Sequence, residues 1–274
     1  MKRSLFRCFG GKYTMAKSII ALLPPHRVYT EPFGGAASVL MRKPPSPVEV
    51  LGDADLDIVS LYRCVQDPTL CAMLVMKMTW TPFSSAEFER ACTETGGLPL
   101  ERAWRVIVRS AMAFSPERVY AKISGFRRST GSATLPASYD WSTYADALPA
   151  FRDRLRRVII EHGDAISTMR HHDHPDTLHY VDPPYVPATR TSRHGYVHEL
   201  DDDGQARLLE CLRQLKGMVI LSGYDSALYS DGLPGWSLIR RNVRDSARRE
   251  RTECLWLNPS AALAGESQTP LFAA

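Results

Sequence analysis

Four times in this chain a short apolar run stops at an acidic turn. Arg27-Val28-Tyr29-Thr30 runs into Glu31, Val48-Glu49-Val50-Leu51 into Gly52-Asp53, Val158-Ile159-Ile160 into Glu161-His162-Gly163-Asp164, and Leu178-His179-Tyr180-Val181 into Asp182. Runs this short, rich in β-branched and aromatic residues, predict strands rather than helices. Helical spacing lies between them: Ile58, Leu61, Tyr62 and Val65 share one face, and a helix near 202–215 leads into a further strand, Met218–Gly223. Strand alternating with helix predicts an α/β fold whose sheet is mostly parallel and covered on both faces. The acidic turns then gather along the carboxyl edge of the sheet, where such folds bind ligands. The last two strands, Ser237–Val243 and Glu253–Asn258, complete the sheet as a C-terminal antiparallel hairpin.

A chain of 274 residues suits one large α/β domain, or a smaller core with an insertion. The rhythm breaks between 80 and 150. Helical pieces at 86–94 and 100–113 lead there into a segment mixing glycine, serine, arginine and aromatics, Lys122-Ile123-Ser124-Gly125-Phe126-Arg127-Arg128-Ser129-Thr130-Gly131. That predicts a main domain of 1–79 and 151–262, a small helical insertion over 80–150, and a flexible tail over 263–274, with fraying from Pro259 onward. No apolar run reaches the length of a membrane span, and the basic N-terminus has no long apolar core of a secretory signal. Six cysteines stand apart with no CxxC pair, which favours free thiols in a reducing cytoplasm. The net charge of +4 leaves a polyanionic partner open without requiring one.

The turn after the fourth run, Asp182-Pro183-Pro184-Tyr185, carries the most chemistry. A carboxylate at a strand end accepts a hydrogen bond from an amino group. The Pro183 carbonyl is a second acceptor, and the two prolines stiffen the backbone between them. Tyr185 offers a flat face for a base. Two acceptors and a stacking ring suit an exocyclic NH2 group held in line with an activated methyl group, with the rate gained from orientation and from acceptors aimed at developing positive charge.

With these residues in order, the chain resembles the Dam-type, D12-class DNA adenine-N6 methyltransferases with α-group motif order, especially the short members common in phages and prophages. The resemblance rests on Gly10-Gly11-Lys12, Glu31-Pro32-Phe33-Gly34-Gly35, Gly52-Asp53, Gly163-Asp164 and Asp182 to Tyr185. It continues through Tyr196–Leu200, Leu221–Tyr224 and Arg251–Asn258, and covers nearly the whole chain, the middle least. It implies a Rossmann-like methyltransferase sheet, S-adenosylmethionine as methyl donor, double-stranded DNA as partner, no metal, and a monomer or weak dimer in the cytoplasm (that of a bacterial host if phage-encoded). It also implies that Lys12 meets the cofactor carboxylate, with Cys8, Gly10 and Gly11 beside it. Glu31 to Gly35 turn under the methionine part, Asp53 takes the ribose hydroxyls with Asp55 as competitor, and Asp164 and Ala165 recognise the cofactor adenine. Asp182 to Tyr185 act on a flipped-out adenine. The insertion becomes the target-recognition subdomain, with Arg118, Lys122, Arg127 and Arg128 as DNA contacts and Arg190 and Arg193 on a loop near the catalytic turn. The chain departs from the family at Cys8, where relatives often carry an aromatic, and lacks their Asn-Gly segment in the insertion, so GATC recognition is not implied.

Other readings stay open. Asp53, Asp55 and Asp164 also suit plain helix caps. His171-His172-Asp173-His174 with His179 has the composition of a metal cluster but lies in a polar connection, where solvated side chains are the default. The late arginines 240, 241, 244, 248, 249 and 251 suit either phosphate contact or a solvated hairpin face. Methylation of RNA adenine, of a protein amide or of cytosine N4, and a DNA-binding chain without activity, are the rival functions.

Overall fold

The computed structural model describes residues 3–8, 11–114, 125–128, 136–185, 199–244 and 250–266. Seven strands form one sheet in the order β3-β2-β1-β4-β5-β7-β6. They are β1 (Val28–Glu31), β2 (Val48–Asp53), β3 (Ile159–His162), β4 (Thr177–Val181), β5 (Met218–Tyr224), β6 (Ser237–Arg244) and β7 (Glu250–Leu257). The first five in that order are parallel, and β7 enters antiparallel between β5 and β6. All seven expected strands are present, and the mostly parallel sheet with its antiparallel hairpin is as the sequence predicts. From β1 the chain steps outward to β2 and β3, then returns to the other side of β1 for β4. The crevice between β1 and β4 is therefore the point where the strand order reverses, and ligands of open α/β sheets bind there.

The strands alternate their side chains between two apolar layers, as a pleated sheet requires. Leu178, Tyr180, Met218, Ile220, Leu255 and Leu257 face one cluster, which also holds Tyr29 and Leu51. Val181, Val219, Leu221, Cys254 and Trp256 face the other, closed by Leu208, Leu209 and Leu212 of α9 (Asp202–Gln214). Every residue of β4 is buried, the polar Thr177 and His179 included.

The helices covering the first face are α2 (Leu56–Gln66), α3 (Pro68–Trp80), α4 (Ser85–Thr93) and α5 (Pro99–Met112). Before them comes the short α1 (Ala16–Ile20), and α6 (Ala137–Ser142), α7 (Leu148–Leu155) and α8 (Ala165–His171) follow them. No helix was legible over Pro68–Trp80. Its outer face carries Met73, Met76 and Trp80, so the polar stripe that marks an amphipathic helix is missing. The Asp67 side chain caps it by accepting from the Leu70 N–H at 2.8 Å, and Pro68 opens its first turn.

The described helices of the 80–150 segment share the apolar cluster of the sheet: Trp104, Val106, Ile107 and Leu148 join Tyr29 and Leu51 in it. The indole N–H groups of Trp104 and Trp141 donate to the Thr81 hydroxyl (2.9 Å) and the Thr81 carbonyl (2.8 Å), which fastens α5 and α6 to the end of α3. The expected fraying from Pro259 does not hold for Pro259–Glu266, which forms a helix, α11, after the short α10 (Ala227–Gly232). Ala261 is fully buried and the Asn258 carbonyl of the side chain accepts from the Ala261 N–H at 2.9 Å, so an anchored cap starts the helix.

Candidate active site

A cavity of about 450 Å³ lies along the carboxyl edge of the sheet. Following the strand order, Asp164, Ala165 and Ile166 line it beyond β3, Asp53, Ala54 and Asp55 beyond β2, Glu31 to Ser38 at β1, and Tyr180, Asp182 and Pro184 at β4. Cys8, Gly11 and Lys12 close it from the N-terminal segment. Positions 8 to 182 of the expected cofactor set thus meet in one place; Gly10 lies outside the described residues.

The turn after β1 is built by its glycines and by Asp53. Gly35 takes a left-handed conformation with φ of +49°, which glycine adopts without strain. Its N–H donates to Asp53 Oδ2 at 2.9 Å, and its carbonyl accepts from the Tyr62 hydroxyl. Asp53 Oδ1 accepts from the Asp55 N–H at 2.9 Å. Asp53 therefore shapes the loop that carries Gly35, while Asp55 caps α2 by accepting from the Asp57 N–H at 2.8 Å. Asp164 likewise caps α8, accepting from the Ser167 N–H at 2.9 Å. The cap reading holds for both, and both still face the cavity.

The β4 end of the cavity is dense in charge. Lys12 Nζ lies 3.0 Å from Asp182 Oδ1 and 3.8 Å from Glu253 Oε2, and Lys12 is only 4% exposed. Burial alone would push the lysine down, but the charges of Asp182 and Glu253 hold it above its ordinary value. Burial raises Asp182 against the opposing pull of Lys12. Glu31 is buried too, and burial lifts its carboxyl to about 8 despite hydrogen bonds from the Leu40 N–H (2.9 Å) and the Tyr29 hydroxyl (3.0 Å). Two carboxylates, Asp182 and Glu253, thus face one ammonium, and the surplus of negative charge favours a cationic ligand at this end of the cavity.

Tyr185 is 2% exposed, and its ring makes a T-shaped contact with Tyr224, the centroids 4.6 Å apart. Lys12 Nζ stands 4.7 Å from the Tyr185 ring centroid. The Tyr185 hydroxyl donates to Glu253 Oε2 at 2.7 Å and lies 3.3 Å from Ser222 Oγ. Gln205 of α9 is fully buried and donates through Nε2 to the Pro184 carbonyl at 2.8 Å, while the Tyr229 hydroxyl donates to Gln205 Oε1 at 2.9 Å. Glu253 and Gln205 were not singled out from the sequence. A signal was there: Glu253 is a lone charge in the strand run Glu253-Cys254-Leu255-Trp256-Leu257, and Gln205 stands at the apolar spacing of Leu208, Leu209 and Leu212.

Of the expected DNA contacts, Arg118, Lys122, Arg190 and Arg193 lie outside the described residues. Arg128 is exposed and Arg127 half-buried. Their segment is pinned by the Arg127 N–H donating to the Met112 carbonyl at 2.8 Å and by Phe126 against Phe83 and Phe88. Arg7, which sequence reasoning passed over, is held below its ordinary value by burial and then by the charge of Arg127. Arg240 pairs with Asp225 at 2.9 Å.

The histidine-rich stretch separates in space. His172 meets Glu161 Oε1 at 2.7 Å, while His179 is fully buried in β4 with Nδ1 2.7 Å from Thr30 Oγ1. Among the described residues no three His, Cys, Asp or Glu side chains gather to hold a metal, and no helix is long and apolar enough to cross a membrane.

DNA adenine methylases from two Vibrio cholerae serotype O1 strains (ATCC 39541 and ATCC 39315) are each 23% identical over 239 residues, covering 82% of this chain and 82% of theirs. Among solved structures, the rRNA methyltransferase aviRa from Streptomyces viridochromogenes overlaps 92% of this chain and 86% of its own at 12% identity and a TM-score of 0.42. The profile of the D12 class N6 adenine-specific DNA methyltransferases matches residues 9–234, from the edge of the glycine-lysine turn through the catalytic-type turn and α9 to α10, and the chain belongs to that family.

Proposed function

We propose that this chain transfers a methyl group from S-adenosylmethionine to adenine N6 in duplex DNA, with the chemistry at Asp182 to Tyr185. The observation that carries the reading is the single cavity that joins the acidic turns of four strands to an ammonium–carboxylate cluster at β4. Its shape suits an elongated, partly cationic ligand: Asp53, Asp55, Ile58 and Ala165 suit a nucleoside, and the excess of carboxylate near Lys12 suits a sulfonium and an ammonium group. S-adenosylmethionine supplies the activated methyl group when bound.

The protein's part is to hold and orient. Asp182 accepts from the exocyclic amine of an adenine turned out of the duplex, and the Pro183 carbonyl accepts its second N–H. Gln205 fixes the Pro184 carbonyl, so the turn keeps its shape. Both acceptors face the positive charge that develops on N6, and the low-dielectric site strengthens them. Tyr185 supplies the ring for the base. Residues 80–150 serve as the target-recognition part, where Arg127 and Arg128 suit phosphate.

Tritium transfer from labelled S-adenosylmethionine to duplex DNA, RNA and protein, run side by side, tests the reading. The wild-type chain should label duplex DNA, and Asp182→Ala should abolish labelling while cofactor binding by calorimetry stays within about tenfold. An active Asp182→Ala chain removes that carboxylate from the mechanism, and labelling of RNA or protein alone rejects the DNA substrate.

A further inference from the structure

We propose that Glu253 is a positioning residue for this methyl transfer, acting through Tyr185 and Lys12. The proposal rests on the reading of Asp182 and Tyr185 given above. Glu253 lies on β7 directly opposite Tyr224 of β5 in the antiparallel ladder. One carboxylate oxygen, Oε2, makes two contacts: it accepts from the Tyr185 hydroxyl at 2.7 Å and stands 3.8 Å from Lys12 Nζ. Lys12 in turn reaches Asp182 at 3.0 Å. A single side chain, 68 residues from Tyr185 in sequence, thus touches both groups that flank the carboxylate of the catalytic turn.

Its surroundings argue that it is placed for those contacts. The residues after it on β7, Cys254 to Leu257, are all buried and apolar, and a carboxylate among them costs desolvation free energy that only specific partners offset. Packing of β7 on β5 needs no charge there. Two consequences follow. The Tyr185 ring is held by its T-shaped contact with Tyr224 and by Glu253 and Ser222 at the hydroxyl, so its orientation is fixed. Lys12 is shared between two carboxylates, so its ammonium claims less of Asp182 than a lone pair would, and Asp182 keeps acceptor strength for an amine.

A double-mutant cycle on the full chain decides it, with Glu253→Ala, Tyr185→Phe, the double variant and Glu253→Gln assayed for kcat and KM on duplex DNA with labelled S-adenosylmethionine. Glu253→Ala should lower kcat by about 10–100-fold, as loss of orientation does, with KM for the cofactor within about threefold. The double variant should be no slower than the slower single variant by more than about twofold, because contacting residues that act as a unit do not combine independently. Glu253→Gln, which keeps an oxygen acceptor for the Tyr185 hydroxyl, should recover most of the loss. Effects of Glu253→Ala and Tyr185→Phe that multiply would overturn the proposal, as would a loss confined to the cofactor KM or a folded Glu253→Gln no better than alanine. If Glu253→Ala does not fold, the same cycle is read with Glu253→Leu, which also removes the acceptor, and multiplication with Tyr185→Phe again rejects the proposal. A wild-type chain that methylates no DNA rejects the underlying reading instead, so the two failures are distinguishable.

Discussion

An added Cβ at Gly34 would lie 2.6 Å from the Tyr62 hydroxyl oxygen and 2.8 Å from the Gly52 carbonyl oxygen. The Gly34 N–H donates to that same carbonyl at 2.7 Å, so the backbone of the β1 turn is pressed against the end of β2. Neither obstacle is the free end of a flexible chain. Gly34→Ala should therefore cost about 1–3 kcal/mol, as overpacking does, and weaken cofactor binding because Gly35 and Asp53 move with it. Urea denaturation and calorimetric titration with S-adenosylmethionine check both; an unchanged urea midpoint removes the packing argument. The residue scale is where the sequence was most legible. Lys12, Glu31, Asp53, Asp164 and Asp182 all reach one cavity because each follows a strand or a glycine turn whose position the chain's own pattern announces. Their partners were not legible. That Asp53 holds Gly35, or that Lys12 meets Glu253, depends on chain segments distant in sequence.

Between elements, Asn258 does the joining at the far end of β5. Its side-chain oxygen accepts from the Val219 N–H (3.0 Å) and the Ala261 N–H (2.9 Å), and its amide donates to the Gly217 carbonyl (2.9 Å). It is 6% exposed, so each group it leaves behind would be buried without a partner. Asn258→Ala should cost about 2–4 kcal/mol, since every unsatisfied buried group costs about 1–3 kcal/mol, and should loosen α11 first. Hydrogen exchange at Ala261 and Ala262 together with a thermal melt would show it; protected amides in a melted variant would contradict the order. The sequence placed the strands to within a few residues because their runs are bounded by acidic or glycine turns. It did not mark α3 or α11. The first exposes apolar side chains to solvent, and the second is composed of small residues that resemble a tail until Asn258 caps it.

For the molecule as a whole, one group through which pH acts lies outside the cavity. His179 is buried on β4 beside Thr30 of β1, and burial depresses it to about 4 despite Asp173 at 3.7 Å. The folded chain thus prefers the neutral ring. That preference contributes fully above the ordinary histidine value of 6.5 and is lost as pH falls through about 4. A shift of this size is worth roughly 3 kcal/mol at most. By urea denaturation His179→Gln should be less stable than the wild type at pH 7, with the gap narrowing towards pH 4; a gap that does not change with pH would move the acid lability elsewhere. The 80–150 segment matters at this scale too, because its described helices share the sheet's apolar cluster.

The sequence by itself determined the strand–helix alternation, the mostly parallel sheet and the acidic turns at its carboxyl edge. Those follow from local periodicity and from turn residues, which act over a few positions. The tertiary structure decided which turns share a cavity, through the strand order that reverses between β1 and β4. It also decided that Lys12 is clasped by Asp182 and Glu253, and that Gln205 and Glu253 hydrogen-bond to the Asp182–Tyr185 turn. Register across a ladder and burial in a shared core bring together residues that no local pattern relates, and the electrostatics of the site arise from that juxtaposition.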